Sequence, residues 1–309
     1  MKKDSINTVY QIVTDKFIEA LEQGNIVWQK PWSGCQGENA YVRHQNGKPY
    51  SMLNMMLLAM QGGEPGEYLT LKQIDAEGGK LKKGAKRKMV VFSKMTPKKF
   101  EEKDEEGNVT NVKEYMAHTF RYYHVFHVSE CEGVKVKYPV EVCEEMLHDI
   151  DPIASAEKVI NDYVEREDTL TLVNDKQTDN AYYSPSRDIV NVPMLAQYEI
   201  AEEYYSTTFH ELVHSTGIQK RCDRGLESAA AFGSNTYSKE ELVAEMGSAM
   251  CINRLGIDNE KAFNNSVAYV QNWLKALRND NRLIVWASGR AEKAVKYIFN
   301  DNAQEEEKD

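Results

Sequence analysis

His210-Glu211-Leu212-Val213-His214 sets two imidazoles four positions apart around a carboxylate. On a helix, side chains at i and i+4 leave from one face, the geometry two imidazoles need to share a zinc ion. The intervening Glu211 falls where it can take a proton from a water. Phe209, Leu212, Val213 and Thr216 make that helix largely apolar, so the imidazoles are expected to be buried and in need of partners. A catalytic zinc requires a third protein ligand and an open position. His44, His118, His124, His127 and His148 all precede the motif, and no histidine follows it. A third ligand from the C-terminal part must then be a carboxylate or a neutral donor. His124 and His127, three apart in a strand-like run, fall on opposite faces and form no ligand pair.

Downstream, Ser238-Lys239-Glu240-Glu241-Leu242-Val243-Ala244-Glu245 puts Glu241 and Glu245 on one helix face. This spacing resembles the E-x-x-x-D segment of gluzincin-type metallopeptidases. The resemblance implies Glu241 as the zinc ligand and Glu245 as the carboxylate that orients a ligand histidine through its other ring nitrogen. Glu245 as the ligand is the alternative. Ser238 and Glu241 also fit an S-x-x-E capping box, which would turn Glu241 back toward the helix start. The chemistry that follows is metal-assisted peptide hydrolysis. Zinc brings the pKa of a water down to roughly 7 and polarises the scissile carbonyl, and Glu211 passes the proton to the leaving amine. Tyr204, Tyr205 and Tyr237 lie near enough in sequence to stabilise an oxyanion, although packing is the plainer role for each.

The 309 residues that must position these groups are 41% apolar, 10% aromatic and 28% charged, with a net charge of −10. That mix excludes a collagen-like, low-complexity or wholly disordered chain. No run approaches the roughly 18 apolar residues of a membrane helix. The charged, amphipathic N-terminal segment does not read as a secretory signal. Cys35, Cys131, Cys143, Cys222 and Cys251 are odd in number, widely spaced and free of CxxC, which predicts free thiols in a reducing cytoplasm. The length suggests about two domains.

Helical spacing runs from Ser5 through Ile6, Val9, Val13, Phe17, Ala20 and Leu21 to Gly24, and Met52–Met60 reads as a buried helix. Tyr68–Ile74 reads as a short turn or helix. Met89–Ser93 and Thr119–Val128 read as strands, and the charged stretch between them, centred on Gly107, as an exposed hairpin or mobile insertion. Residues 140–151 look like a connector. Beyond them, Ala154–Val164, Ile200–Thr216, Lys239–Leu255, Ser266–Leu277 and Arg290–Phe299 are helical in pattern. Leu170–Val173 and Asp188–Val192 read as strands around a turn at Ser184-Pro185.

The net charge hides an asymmetry. Residues 1–138 carry 21 Lys and Arg against 17 Asp and Glu, whereas residues 139–309 carry 17 against 31. The acidic second half would repel a phosphate backbone, which argues against a nuclease. In the basic half, Trp28, Trp32, Tyr41, Tyr50 and Tyr68 alternate with Lys30, Arg43, Lys48 and Lys72, and a cluster at Lys80, Lys82, Lys83 and Lys86 follows. Rings on which bases stack, beside cations that neutralise phosphate, are what single-stranded nucleic acid requires. The alternative is that the rings are core and the lysines a solvated face.

Both halves together resemble one family. Trp28-Gln29-Lys30-Pro31-Trp32, Tyr50-Ser51-Met52-Leu53-Asn54, Leu69-Thr70-Leu71-Lys72-Gln73, Gly78-Gly79-Lys80-Leu81-Lys82-Lys83-Gly84 and Arg121-Tyr122-Tyr123-His124-Val125-Phe126 are similar to the N-terminal domain of ArdC-type antirestriction proteins, a domain also found fused to plasmid primases. Tyr183-Ser184-Pro185, Phe209-His210-Glu211-Leu212-Val213-His214-Ser215-Thr216-Gly217 and Glu240-Glu241-Leu242-Val243-Ala244-Glu245 are similar to the zincin-like metallopeptidase domain of the same proteins. The resemblance implies an α+β protein of two domains, 1–145 binding single-stranded DNA and 146–309 a mainly helical, zincin-like metallopeptidase domain. Asn54 joins the expected DNA-binding residues. A DNA-bound protein is the expected substrate, and protection of a mobile element's DNA from restriction the expected role. The rival is a non-catalytic DNA-coating protein whose zinc domain is structural or binds a partner.

Overall fold

The segment Met52–Met60 contains one polar side chain, Asn54, so a helix there has no face to offer water and must be enclosed. The computed structural model describes residues 3–23, 26–29, 40–103, 109–139, 152–226, 235–257 and 267–301. In it, helix α2 (Met52–Met60) has every residue from Met52 to Leu58 buried. Asn54 accepts from the Val91 N–H at 2.7 Å and donates to the Val91 carbonyl at 2.9 Å. Gln61, just past the helix, does the same for Met89 at 2.7 and 2.9 Å. These amides cap the outer edge of β4 (Lys88–Lys103) at Met89 and Val91, and its other edge pairs antiparallel with β5 (Val109–His127) from Lys88↔Val125 to Lys103↔Val109. The charged stretch between the two expected strands is thus a hairpin arm; its tip, 104–108, lies outside the described residues.

On its far side β5 pairs with β2 (Gly66–Leu69), which pairs in parallel with β1 (Tyr41–Arg43), giving the order β1-β2-β5-β4. The run Tyr68–Ile74 is divided at Thr70, whose N–H donates to the Gln73 side chain at 2.8 Å as α3 (Leu71–Ala76) begins. A small ladder joins β3 (Lys80–Leu81) to β6 (Cys131–Glu132).

The rest of the chain is α4 (Pro152–Arg166), α5 (Ala201–Ser215), α6 (Asn235–Arg254), α7 (Val267–Asn279) and α8 (Leu283–Ile298). Three short strands, β7 (Thr171–Val173), β8 (Tyr182–Ser184) and β9 (Ile189–Asn191), pair in the order β7-β9-β8. Tyr182–Ser184 was not legible as a strand, being three residues long with no alternation. The architecture is α+β. No helix among the described residues is long and apolar enough to cross a membrane.

The N-terminal helix α1 (Lys3–Glu22) starts ahead of Ser5, so Ser5 is interior to it and not its cap. Its buried residues Val13 and Phe17 share one apolar cluster with Leu274 of α7 and Ile284 and Val295 of α8. Tyr10 stacks on Phe120 of β5 with ring centroids 4.5 Å apart. Trp28, in the 3-10 turn Val27–Gln29, meets Trp273 of α7 edge to face at 5.1 Å. Thr14 donates to the Asn281 carbonyl at 2.8 Å, and the Met52 N–H to the Glu292 carboxylate of α8 at 3.2 Å. The two ends of the sequence are therefore packed into one core. The expected connector and the boundary at 145 lie outside the described residues.

Trp28→Ala should remove the ring that joins these ends and cost about 3–5 kcal/mol. Urea unfolding followed by fluorescence and circular dichroism should show one transition at a lower midpoint. An unchanged midpoint, or two separate transitions, would contradict a shared core.

Candidate functional site

Helices α5 and α6 approach closely because Gly247 faces Val213. A Cβ at Gly247 would lie 2.8 Å from Val213 Cγ2, so no larger residue fits without displacing one helix. This contact brings α6 against the histidine face of α5. The Nε2 atoms of His210 and His214 lie 3.1 Å apart. The Glu241 carboxylate spans them, with Oε2 at 3.5 Å from His210 Nε2 and Oε1 at 3.4 Å from His214 Nε2. All three residues are partly buried, and their donor atoms lie within 4.8 Å of one another. Ligand bonds of 2.0–2.2 Å in a tetrahedral site put neighbouring donors roughly 3.3 Å apart. The three separations fit that spacing, and the donor set suits a divalent ion of zinc's type.

The outer nitrogens are held as well. His214 Nδ1 lies 3.4 Å from Glu240 Oε1, and His210 Nδ1 lies 3.8 Å from Glu245 Oε1. Arg224 in turn holds Glu240, with Nη2 to Oε1 at 2.6 Å and Nε to Oε2 at 3.0 Å. It also ties that carboxylate to the end of α5, donating to the Val213 carbonyl and to Thr216 Oγ1 at 2.7 Å each. Arg221 fixes the same end, donating to the Ser215 carbonyl at 2.8 Å while pairing with Asp188 and Glu167. Glu211 is buried, and its carboxylate makes no hydrogen bond or ion pair with a described residue.

The electrostatics follow from this crowding. Burial alone would lower the His214 pKa, but hydrogen bonds to Glu240 and Glu241 outweigh it and raise it to about 10. His210 is raised by Glu241 and Glu245 against the same burial penalty. Burial would raise Glu241, yet its bonds to both imidazoles hold it well below the usual carboxylate range. Glu245 is pushed up, first by burial and then by the charge of Glu241. Four carboxylates around two imidazoles make a field that favours a cation.

Ser238 lies inside α6 and not at its start, so the capping geometry that would have turned Glu241 away is not formed. Glu240, Arg224 and Arg221 were missed by sequence reasoning. Glu240 is one position off the Glu241/Glu245 face, and nothing in the local pattern marks either arginine. Tyr204 and Tyr205 are corrected as oxyanion stabilisers. Both are buried, the Tyr204 hydroxyl accepting from Asn174 at 2.8 Å and the Tyr205 hydroxyl donating to Glu157 at 2.8 Å. The side chain of Tyr237 lies outside the described residues.

The expected base-stacking rings are also corrected. Trp28, Tyr41 and Tyr50 are buried, Trp28 against Trp273 and the two tyrosines against Tyr68, so none offers a face to a base. Asn54 is buried and committed to Val91. Lys30 and Trp32 lie outside the described residues. Arg43 is exposed over the Tyr50 ring, and Lys48, Lys72, Lys83 and Lys86 are exposed. Lys80 pairs with Glu132 at 3.2 Å, and Lys82 donates to the Ser129 carbonyl at 2.7 Å.

Comparison with known proteins gives two family matches in sequence order. Residues 7–126 match the N-terminal domain of anti-restriction factor ArdC, and residues 165–290 match a zincin-like metallopeptidase family. A DNA primase TraC of Escherichia coli is 31% identical over 298 residues, covering 94% of this chain and 20% of the relative. The chain spans 20% and 27% of the length of the two TraC relatives it matches. Protein y4eC of Sinorhizobium fredii, uncharacterised, is 29% identical and covered over 91% of its length. Among solved structures, the metal-free crystal structure of the antirestriction ArdC protein from plasmid R388 has a TM-score of 0.66 at 29% identity, covering 96% of this chain and 98% of that one. Its Mn(II)-bound form has a TM-score of 0.65, covering 95% and 97%.

Glu240→Gln keeps the size of the side chain and weakens its hold on His214. Divalent-metal affinity, read by competition with a chromophoric chelator, should fall roughly 10–100-fold. An unchanged affinity would mean that Glu240 serves only the pair with Arg224.

Proposed function

The chain belongs to the ArdC-type antirestriction family, and we propose that it is a metal-dependent peptidase that works at single-stranded DNA in the service of a mobile element. The observation that carries the reading is the convergence of His210, His214 and Glu241 from two helices, with Glu211 buried beside them. His210, His214 and Glu241 would hold the ion. Zinc is the expected metal for two imidazoles and a carboxylate, and the Mn(II)-bound relative supports a site that accepts divalent ions more broadly. When bound, such an ion acidifies a water toward neutrality and polarises a carbonyl.

This chain's own residues do the rest. Glu211, free of ion pairs among the described residues, takes the proton of the attacking water and hands it to the leaving amine. A purely structural site would give that carboxylate no task. Glu240 and Glu245 hold the outer nitrogens of His214 and His210, so the inner nitrogens stay turned toward the ion. The basic first half recruits single-stranded DNA, and the substrate is a protein bound to that DNA.

Glu211→Gln tests the chemistry. The variant should keep its metal and its DNA affinity, lose roughly 100–10,000-fold in turnover, and fail to protect incoming DNA in a restricting host. Full protection by the variant would overturn the enzyme reading and leave DNA coating as the function.

A further inference from the structure

The register of the hairpin pairs Val90 with Tyr123 and Phe92 with Arg121, so these four side chains share one face of the ladder. Near the sheet this face is core: Val90 and Val125 are buried in a cluster with Tyr50 and Tyr68. One step outward the burial stops. Phe92 and Tyr123 are each 44% exposed and meet edge to face with centroids 6.3 Å apart. Period two places Lys94, also exposed, on the same face beyond Phe92. The opposite face repeats the pattern, with exposed Tyr122 against His124 at 5.6 Å.

The charge along the stretches of sequence that carry these rings is of one sign. Residues 78–100 and 115–129 hold ten Lys and Arg and no Asp or Glu, in a chain whose net charge is −10. Exposed rings among cations, with no carboxylate on the ladder near them, match the two demands of a single strand: flat apolar surfaces for bases and positive charge for phosphates. A peptide strand is a poorer fit, because at the base of the hairpin the backbone groups it would pair with are already taken, by Asn54 at Val91 and by Gln61 at Met89.

We propose that the exposed hairpin face formed by Phe92 and Tyr123, flanked by Lys94 and Arg121, is the surface on which this chain stacks the bases of single-stranded DNA. This rests on the DNA reading above for the ligand and assigns it a place. The buried cluster of Tyr41, Tyr50 and Tyr68 then supports the sheet from below. Duplex DNA, whose bases are already stacked, gains nothing from the rings.

The full-length chain is titrated against a fluorescein-labelled 30-mer of thymidine by anisotropy, at several salt concentrations. The double variant Phe92→Leu/Tyr123→Leu, with its fold checked by circular dichroism, should bind at least tenfold more weakly. Its salt slope should be unchanged, because the phosphate contacts remain. Lys94→Gln should reduce that slope by about one. Wild-type binding equalled by the double variant would overturn the site and leave the DNA reading intact. No binding by the wild type would overturn both. If the double variant misfolds, photocrosslinking of the wild type to a 5-iododeoxyuridine oligonucleotide decides. Adducts on peptides holding residues 88–96 or 119–125 support the site, and adducts confined elsewhere overturn it.

Discussion

The close contact of Gly247 with Val213 governs the arrangement of the metal centre. Two imidazoles one turn apart on α5 are a common outcome of helical geometry. They become a three-donor site only because α6 lies near enough for Glu241 to reach both inner nitrogens. The same approach also brings Glu240 and Glu245 close, and a partly buried group of carboxylates repels itself. The arrangement is tolerable because Arg224 takes up the charge of Glu240 and the imidazoles take up that of Glu241. A divalent cation would satisfy the remainder better than protons do.

The grouping of His210, His214 and Glu241 was largely legible in the sequence, since its spacing is local. The i, i+4 rule placed His210, Glu211 and His214 on one turn and Glu241 with Glu245 on one face. What the sequence hid was set by tertiary approach. Glu240 gains its role because α6 lies close enough to α5 for both Glu240 and Glu241 to reach His214. Arg221 and Arg224 act from the segment after α5, where no periodicity applies. The aromatic residues failed for a different reason: composition reports ring type and not burial. Trp28 and Tyr50 read as stacking platforms and are core, whereas Phe92 and Tyr123, inside an expected strand, are exposed. The nine-residue helix at Met52–Met60 was legible because a segment apolar on every side has one stable environment.

The fold joins the hairpin face and the His210, His214 and Glu241 cluster physically. α2 closes the edge of β4 through Asn54 and Gln61 at one point and donates its Met52 N–H to Glu292 of α8 at another. α8 packs on α6, the helix that carries Glu241. The other face of the hairpin, through Met89, Val91 and Phe120, shares one core with α5 and α6, whereas the Phe92 and Tyr123 face rests on the separate cluster of Tyr50, Tyr68, Val90 and Val125. A domain cut from the chain at residue 145 would expose the faces of α1 and α2 that α7 and α8 cover.

The central claim is that α5 and α6 together hold a divalent ion through two imidazoles and a carboxylate. Zinc K-edge X-ray absorption on protein loaded with one equivalent tests it most directly. The account predicts two imidazole nitrogens and carboxylate oxygen at about 2.0–2.2 Å with no sulfur. A sulfur shell, or zinc without imidazole scattering, would contradict it.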